Sequence, residues 1–108
     1  GDYQDQWSLV FFLRHVHHGM NLQQAIDAPM FQTDHLVGSF WPRGATLKSL
    51  GIEDRVDPKT VAALGKGGHE VTLEQPWSLG RISAASRRDG VLKAAANPRG
   101  MQGYAIGR

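Results

Sequence analysis

The stretch GDYQDQWSLVFFLRHVHHGM, residues 1–20, predicts a long helix that is apolar on two sides. Apolar residues recur along one helical face at the spacing i, i+3, i+4, i+7 and i+11: Leu9, Phe12, Leu13, Val16 and Met20. A second apolar side is formed by Trp7, Val10 and Phe11. We therefore expect a helix over residues 4–18, stopped by Gly19, that is buried on more than one side.

The start of this helix carries the clearest indication of chemistry. Gly1 allows a backbone to approach a ligand closely, and Asp2 belongs to the residue types that cap helix N-termini. The free N–H groups of a helix N-terminus favour an anion or a developing oxyanion. An ordinary capped helix explains the same two residues. The pattern also looks like a helix cut from a longer polypeptide, and we expect a segment before Gly1.

Two further helices are indicated by capping residues. Asn21 with Gln24 forms a capping pair for a short second helix that Pro29 ends. Asp57 and Pro58 open a third helix, because aspartate caps the N-terminus and proline fits the first turn. The stop of this third helix is a group of glycines: Gly65, Gly67 and Gly68.

The remaining segments predict strands and loops. Residues 30–42 are predicted to be extended structure broken at Gly38. Residues 43–56 are predicted to be a connecting loop with an irregular strand. Residues 69–75 alternate as a strand. Residues 81–87 and 91–96 form a hairpin around Arg88-Asp89-Gly90, and its small side chains allow a helix to lie close. The sequence predicts one unit over residues 1–108, a layered α/β (α+β) fold with an antiparallel sheet packed on helices.

Composition excludes several classes of function. Hydrophobic residues make up 41% and charged residues 20% of the 108 residues, which is typical of a globular protein, and no apolar run approaches the length of a membrane span. The net charge of +2 comes from scattered basic residues. We interpret the loose group of Arg81, Arg87 and Arg88 as a solvated strand face, and expect neither nucleic acid nor membrane as partner. The absence of cysteine excludes disulfides and thiolate chemistry.

Other groupings of reactive residues have simpler structural explanations. His15, His17 and His18 could hold a metal, but they lack a further ligand at a supporting spacing, and imidazoles favour the carbonyl end of a helix. We therefore expect no metal site. Asp34-His35 with Ser39 or Ser78 could be drawn as a hydrolytic triad, although no Gly-x-Ser-x-Gly turn is present.

Three more features are better explained by structure than by ligand binding. Gly65-Lys66-Gly67-Gly68 lacks the spacing of a phosphate loop and follows a predicted helix. The three tryptophans, Trp7, Trp41 and Trp77, are interpreted as core or interface anchors. Arg99 could clamp a substrate, but an arginine in a loop more commonly ties down backbone carbonyls or a carboxylate.

Four blocks of sequence, in this order, resemble the C-terminal part of the γ-glutamyltransferase family. They are Gly1-Asp2-Tyr3-Gln4-Asp5-Gln6, GMNLQQAIDAP at residues 19–29, PWSLGR at residues 76–81 and AAANPRGMQGYA at residues 94–105. The resemblance covers essentially all 108 residues. It implies part of the αββα sandwich of N-terminal nucleophile hydrolases.

The resemblance also implies that the catalytic groups are divided between this chain and the rest of an enzyme. In the family the nucleophile is a threonine exposed by self-cleavage, and the threonines here are all internal: Thr33, Thr46, Thr60 and Thr72. Gly1 matches the second of two adjacent glycines whose N–H groups form the oxyanion hole. The resemblance implies a γ-glutamyl substrate such as glutathione or a related amide, no cofactor, and partners in the large subunit and the N-terminal half of the small subunit.

The resemblance leaves two questions open. The first is the compartment of the protein, which is left open between periplasmic or secreted and cytoplasmic. A free-standing, non-catalytic α/β interaction or dimerisation domain of shared ancestry is the alternative to an enzyme fragment. The apolar first helix predicts that the isolated chain self-associates. We expect the isolated chain to be inactive as an enzyme, because it lacks a threonine with a free α-amine and half of the oxyanion hole that the resemblance implies.

Overall fold

The computed structural model describes residues 1–101 and 103–107. The elements in chain order are helix α1 (Asp2–Phe12), a π-helical segment (Leu13–His17), helix α2 (Leu22–Asp27), strand β1 (Phe31–Gln32), strand β2 (Ser49–Glu53), helix α3 (Pro58–Lys66), strand β3 (Glu70–Glu74), strand β4 (Ser83–Arg88), strand β5 (Val91–Ala96) and a 3₁₀ turn (Arg99–Met101). Within these described residues, none of the helices combines the length and the apolar character needed to cross a membrane.

The strands form two sheets, and helix α2 lies against the smaller one. The larger sheet has the order β1-β2-β3, and the smaller is the β4-β5 hairpin. Leu22 and Ile26 of α2 pack on Ala95 of β5, and the cluster is completed by half-buried neighbours: Phe11, Ile82 and Ala84. The alanines of the hairpin permit this close approach. The prediction of a layered α/β fold is therefore confirmed.

Predictions that rest on local chemistry are confirmed. The side chain of Asn21 accepts from the backbone N–H of Gln24 at 2.8 Å, and α2 begins at the next residue after Asn21. Asp57 accepts from the N–H of Lys59 at 2.9 Å and opens α3. The turn of the β4-β5 hairpin places Asp89 at φ 50° and Gly90 at φ 78°, as a tight two-residue turn requires.

The larger sheet differs from the sequence prediction in two ways. Residues 43–56 contain a regular central strand, β2, where a loop with an irregular strand is predicted, and only Phe31–Gln32 of residues 30–42 forms a strand. The pairing of β2 with β3 is parallel, while β1 with β2 is antiparallel. The parallel pairing follows from the crossover through α3, because parallel neighbours need such a connection. A strand covered on both sides loses the alternation that identifies strands from sequence.

The burial of α1 also differs from the prediction. The side that faces the rest of the chain carries half-buried residues at helical spacing: Tyr3, Gln6, Trp7, Val10, Phe11 and Arg14. The other face is uncovered, and none of the residues of α1 is fully buried. This face continues into the π-helical segment, and we refer to the four exposed apolar residues along both, Leu9, Phe12, Leu13 and Val16, as the exposed stripe. Within this chain α1 is thus covered on one side only, because no described element reaches its other face.

Candidate functional site

The helix start that the sequence singles out forms a well-ordered hydrogen-bonded turn. The terminal ammonium of Gly1 donates to Oε1 of Gln4 at 2.9 Å, and the backbone N–H of Gln4 donates to the carbonyl of Gly1 at 2.9 Å. Gln4 therefore caps α1 from its third position. Gly1 itself is exposed and lies at the positive end of an eleven-residue helix.

A loop is fastened over this helix start by side chains of α1. We refer to residues 33–46 as the covering loop. The Tyr3 hydroxyl donates to Oδ1 of Asp34 at 2.7 Å. The amide of Gln6 donates to the carbonyl of Thr33 at 2.9 Å and accepts from its N–H at 2.8 Å. The loop is therefore anchored through its first two residues.

A third contact holds the far part of the covering loop. Oδ2 of Asp2 accepts from the N–H of Ser39 at 2.8 Å. The loop also closes on itself, because Gly38 donates to the carbonyl of Gly44 at 3.0 Å and Arg43 donates to the carbonyl of Phe40 at 2.6 Å. These bonds position the loop tip directly above the first turn of α1.

Two ionisable groups of this region have displaced pKa values. The hydrogen bonds from Ser39 lower the pKa of Asp2, so its carboxylate form is favoured. The hydrogen bond to Asp34, assisted by partial burial, raises the pKa of Tyr3 to about 12. Tyr3 therefore keeps its proton as the donor to Asp34 at neutral pH, and it does not act as a base there.

Phe40 is the side chain that reaches Gly1. A Cβ placed on Gly1 would lie 3.8 Å from Cε2 of Phe40, an ordinary van der Waals distance, and no other non-adjacent atom of the described residues would lie within 4 Å. Phe40 is 71% exposed, so most of its ring is uncovered. The helix start is thus bordered by one aromatic ring and is otherwise open.

A second cluster, which the sequence analysis did not identify as a unit, surrounds the buried Glu53 at the end of β2. Glu53 is fully buried and accepts five hydrogen bonds. Its Oε1 accepts from Nε of Arg99 at 2.7 Å and from the N–H of Leu79 at 3.0 Å. Its Oε2 accepts from Nη2 of Arg99 at 2.8 Å, Nη2 of Arg55 at 2.8 Å and the N–H of Met30 at 3.0 Å.

The electrostatics of Glu53 are decided by these donors. Burial by itself raises the pKa of a carboxyl, but the hydrogen bonds from Arg99, Arg55, Met30 and Leu79 outweigh it and lower the pKa of Glu53 to about 2. Glu53 is therefore ionised at neutral pH, although no part of it reaches solvent. A buried carboxylate with every lone pair engaged serves the structure and is not available as a general base.

Arg99 ties three parts of the chain together. Besides the two bonds to Glu53, its guanidinium donates to the carbonyl of Ile26 at 2.7 Å and to that of Ala28 at 3.1 Å. The interpretation of Arg99 as an arginine that ties down carbonyls and a carboxylate is confirmed. Arg14 reinforces the same turn by donating to the carbonyls of Ala25, Ala28 and Pro29. Burial and the nearby Arg99 charge lower the pKa of Arg14.

The other candidate residues are not brought together into a site. The His15 ring bonds to the carbonyl of Met20 at 2.8 Å and stacks on Phe11, while His17 packs edge-on against Phe12. Among residues 1–101 and 103–107, no three histidine or acidic side chains are grouped so as to hold a metal ion.

The hydrolytic triad is not assembled either. Nδ1 of His35 accepts from the N–H of Lys48 at 2.7 Å, and Asp34 is engaged by Tyr3. The hydroxyl of Ser78 donates to the carbonyl of Gln75 at 2.6 Å. Each of these side chains is therefore engaged in a separate structural hydrogen bond.

The tryptophans have three different environments. Trp7 is half-buried and donates to Oε1 of Gln32 at 3.2 Å. The Trp77 ring lies under the guanidinium of Arg55, at 3.6 Å from its centroid. Trp41 is 90% exposed in the covering loop, so it is not a core anchor of this chain. Lys66 and Gly67 end α3, which confirms the glycine-rich segment as a helix terminator.

Comparison with known proteins relates the whole chain to one family. The sequence profile described as gamma-glutamyltranspeptidase matches residues 1–107. A search of curated proteins gave no significant match. Among solved structures, a threonine-to-alanine variant of LmbA2991 is similar at 53% identity and a TM-score of 0.91, over 100% of this chain and 20% of that one.

More distant structures share the fold. Cephalosporin acylase from Bacillus halodurans is similar at 26% identity and a TM-score of 0.73, over 92% of this chain and 17% of that one. The gamma-glutamyltranspeptidase from Pseudomonas nitroreducens complexed with L-DON is similar at 15% identity and a TM-score of 0.71, over 96% of this chain and 50% of that one. The chain therefore spans half or less of the length of these proteins.

Proposed function

Because the chain belongs to the γ-glutamyltranspeptidase (γ-glutamyltransferase) family, we propose that it forms the C-terminal part of the small subunit of an enzyme that transfers or hydrolyses γ-glutamyl groups. Glutathione and related amides are the proposed substrates, and residues 1–108 are proposed to act as a single unit. The observation that carries the proposal is the match of residues 1–107 to the family together with the open helix start at Gly1.

The proposed chemistry places one oxyanion donor in this chain. A threonine outside the chain gives its hydroxyl proton to its own α-amine, its oxygen bonds to the amide carbonyl carbon, and the carbonyl electron pair moves onto oxygen. The N–H of Gly1 stabilises that negative oxygen. When the electron pair re-forms the carbonyl, the C–N bond breaks, and the leaving amine takes the proton from the α-amine. Water or an acceptor amine then attacks the threonine ester, so that the acyl group is released and the hydroxyl is restored. The threonines of this chain are internal and carry no free α-amine. We therefore propose that the isolated chain is inactive.

The test is steady-state kinetics of the full-length, self-cleaved enzyme carrying Gly1→Val. We expect kcat to fall about a hundredfold, with a smaller change in KM, because a β-branched side chain crowds the acyl group and tilts the peptide, so that the N–H no longer points at the oxygen. A donor aimed at developing charge contributes about 3 kcal/mol to lowering the barrier. Gly1→Ala is the matched control for folding, since a Cβ has room beside Phe40. An unchanged kcat in Gly1→Val would show that the helix start is only a cap.

The partners are proposed to be the remainder of the enzyme, namely its large subunit and the N-terminal half of the small subunit. The exposed stripe of Leu9, Phe12, Leu13 and Val16 is the surface that supports this proposal, since its residues are 40–57% exposed in the chain alone. We propose that the isolated chain self-associates through the same stripe.

Sedimentation velocity tests self-association. The isolated chain should form dimers or larger species that Phe12→Glu dissociates, while Leu36→Glu, an equally polar change on the covering loop, should not dissociate them. A clean monomer at high concentration of the unmodified chain contradicts the proposal.

The alternative function is a free-standing, non-catalytic interaction or dimerisation domain, and the exposed stripe is the observation that favours it. The two functions are separated by the encoding reading frame. An enzyme requires that the frame continue upstream of Gly1 through a threonine preceded by a larger domain. A start codon immediately before Gly1 would favour the interaction domain.

A further inference from the structure

The covering loop, which lies over the start of α1, places one side chain at the proposed reaction centre. Three residues of the first two turns hold the loop: Asp2, Tyr3 and Gln6. The bond from Arg43 to the carbonyl of Phe40 and the bond from Gly38 to Gly44 fix the tip that carries Phe40. Phe40 is therefore positioned by bonds on both sides of it along the chain.

The ring of Phe40 lies beside Gly1 and is largely exposed within this chain. Its Cε2 lies at contact distance from the Cβ position of Gly1, whereas most of the ring is exposed to solvent. When the carbonyl oxygen of a substrate accepts a hydrogen bond from Gly1, the acyl group attached to that carbonyl lies close to Gly1. An apolar ring beside Gly1 then contacts this acyl group. An apolar wall at that position discriminates by size, since a single methylene in an apolar pocket changes rates about 10-fold or more.

We infer that Phe40 is a specificity-determining residue that limits the bulk of the acyl group beside the scissile carbonyl. The inference rests on the proposed role of Gly1 as an oxyanion donor. It assigns to the enzyme a preference for acyl donors that are unbranched at the carbon next to that carbonyl. Trp41, the next residue, is almost fully exposed and is not within 4 Å of the Gly1 Cβ position, so it serves as the matched control.

The experiment compares two substrates in the full-length, self-cleaved enzyme: γ-glutamyl p-nitroanilide and its derivative with one extra methyl on the carbon beside the scissile carbonyl. Phe40→Ala should lower the ratio of kcat/KM for the unbranched over the branched donor by about 10-fold. Phe40→Trp should raise that ratio, and Trp41→Ala should leave it unchanged. Self-cleavage and thermal unfolding are measured for each variant, and Phe40→Trp retains an aromatic ring if Phe40→Ala does not fold.

Gly1→Val, measured alongside, separates the two ideas. If Gly1→Val lowers kcat while both Phe40 variants keep the wild-type ratio, the specificity role is overturned and the proposed function stands. If the Phe40 variants move the ratio in opposite directions while Gly1→Val has no effect, Phe40 is upheld as an acyl-site residue and the oxyanion role of Gly1 is overturned. A ratio that moves equally in Trp41→Ala would also overturn the assignment to Phe40.

Discussion

Replacing Glu53 by glutamine is expected to destabilise the chain by about 3 kcal/mol at neutral pH. The folded protein lowers the pKa of Glu53 from its ordinary value of 4.5 to about 2. Multiplied by about 1.36 kcal/mol for each pH unit, that difference corresponds to about 3 kcal/mol in favour of the ionised folded state. A neutral amide would also leave Arg99, whose side chain is 2% exposed, without its counter-charge.

The pH dependence gives the prediction its sharpest form. The folded-state pKa lies below the unfolded-state pKa, so the contribution is complete above about pH 4.5 and is lost as the pH falls toward about 2. The unmodified chain should therefore lose stability across this interval, and Glu53→Gln should lose about 3 kcal/mol less over the same interval.

Urea unfolding followed by tryptophan fluorescence is the assay, because Trp77 lies against Arg55 and Arg99. Glu70→Gln is the matched control, since Glu70 is exposed at the start of β3, and it should change the free energy of unfolding by less than about 0.5 kcal/mol. The reasoning is refuted if Glu53→Gln costs less than about 1 kcal/mol at neutral pH or unfolds with the same acid dependence as the unmodified chain.

Three further outcomes are expected. Gly80→Ala should cost about 3 kcal/mol in urea unfolding, because Gly80 has φ 81° and its Cβ would lie 3.0 Å from Cγ of Met30. Gly90→Ala should cost only about 1 kcal/mol, because φ is again positive but nothing lies within 4 Å; equal costs would contradict the argument. In an absorbance titration, the tyrosine that ionises near pH 12 should disappear in Tyr3→Phe, and Asp34→Asn should lower its midpoint; a midpoint that stays in place would contradict the hydrogen bond as its cause.

The elements that sequence predicts well are those determined by neighbouring residues. The capping of α2 by Asn21, the opening of α3 by Asp57 and the hairpin turn at Asp89 each depend on residues within a few positions of one another. Local chemistry of this kind leaves a signature in the sequence. These elements account for both helices that follow α1 and for the smaller sheet.

The central strand could not be predicted for the opposite reason. β2 contains a glycine in its middle and ends in a glutamate, and both residue types are uncommon in strands. Glu53 is accommodated by several donors, of which Arg99, 46 positions later, supplies a buried counter-charge through two hydrogen bonds. A contact at that separation has no local signature, so Arg99 could be interpreted as a structural arginine while its partner remained unidentified.

The first helix illustrates a third case. Periodicity correctly identifies two apolar faces, but it does not reveal which one the chain itself covers. Trp7 and Phe11 face inward, while the stripe with Leu9 and Phe12 stays exposed. The role of Gly1 remains a prediction, because the resemblance supplies it and the open helix start is compatible with it.

The bonds of Arg99 have a consequence for biosynthesis. Its partners Ile26 and Glu53 precede it by 73 and 46 positions, so a ribosome completes all of them before Arg99 exists. Until then Glu53 must stay hydrated or protonated, and the turn after α2 lacks its main donor. Folding that depends on such distant contacts is slow, because closing a long loop loses chain entropy before the contact that stabilises it has formed. We therefore expect the helices and the hairpin to associate only loosely until Arg99 joins the carbonyl of Ile26 to the carboxylate of Glu53.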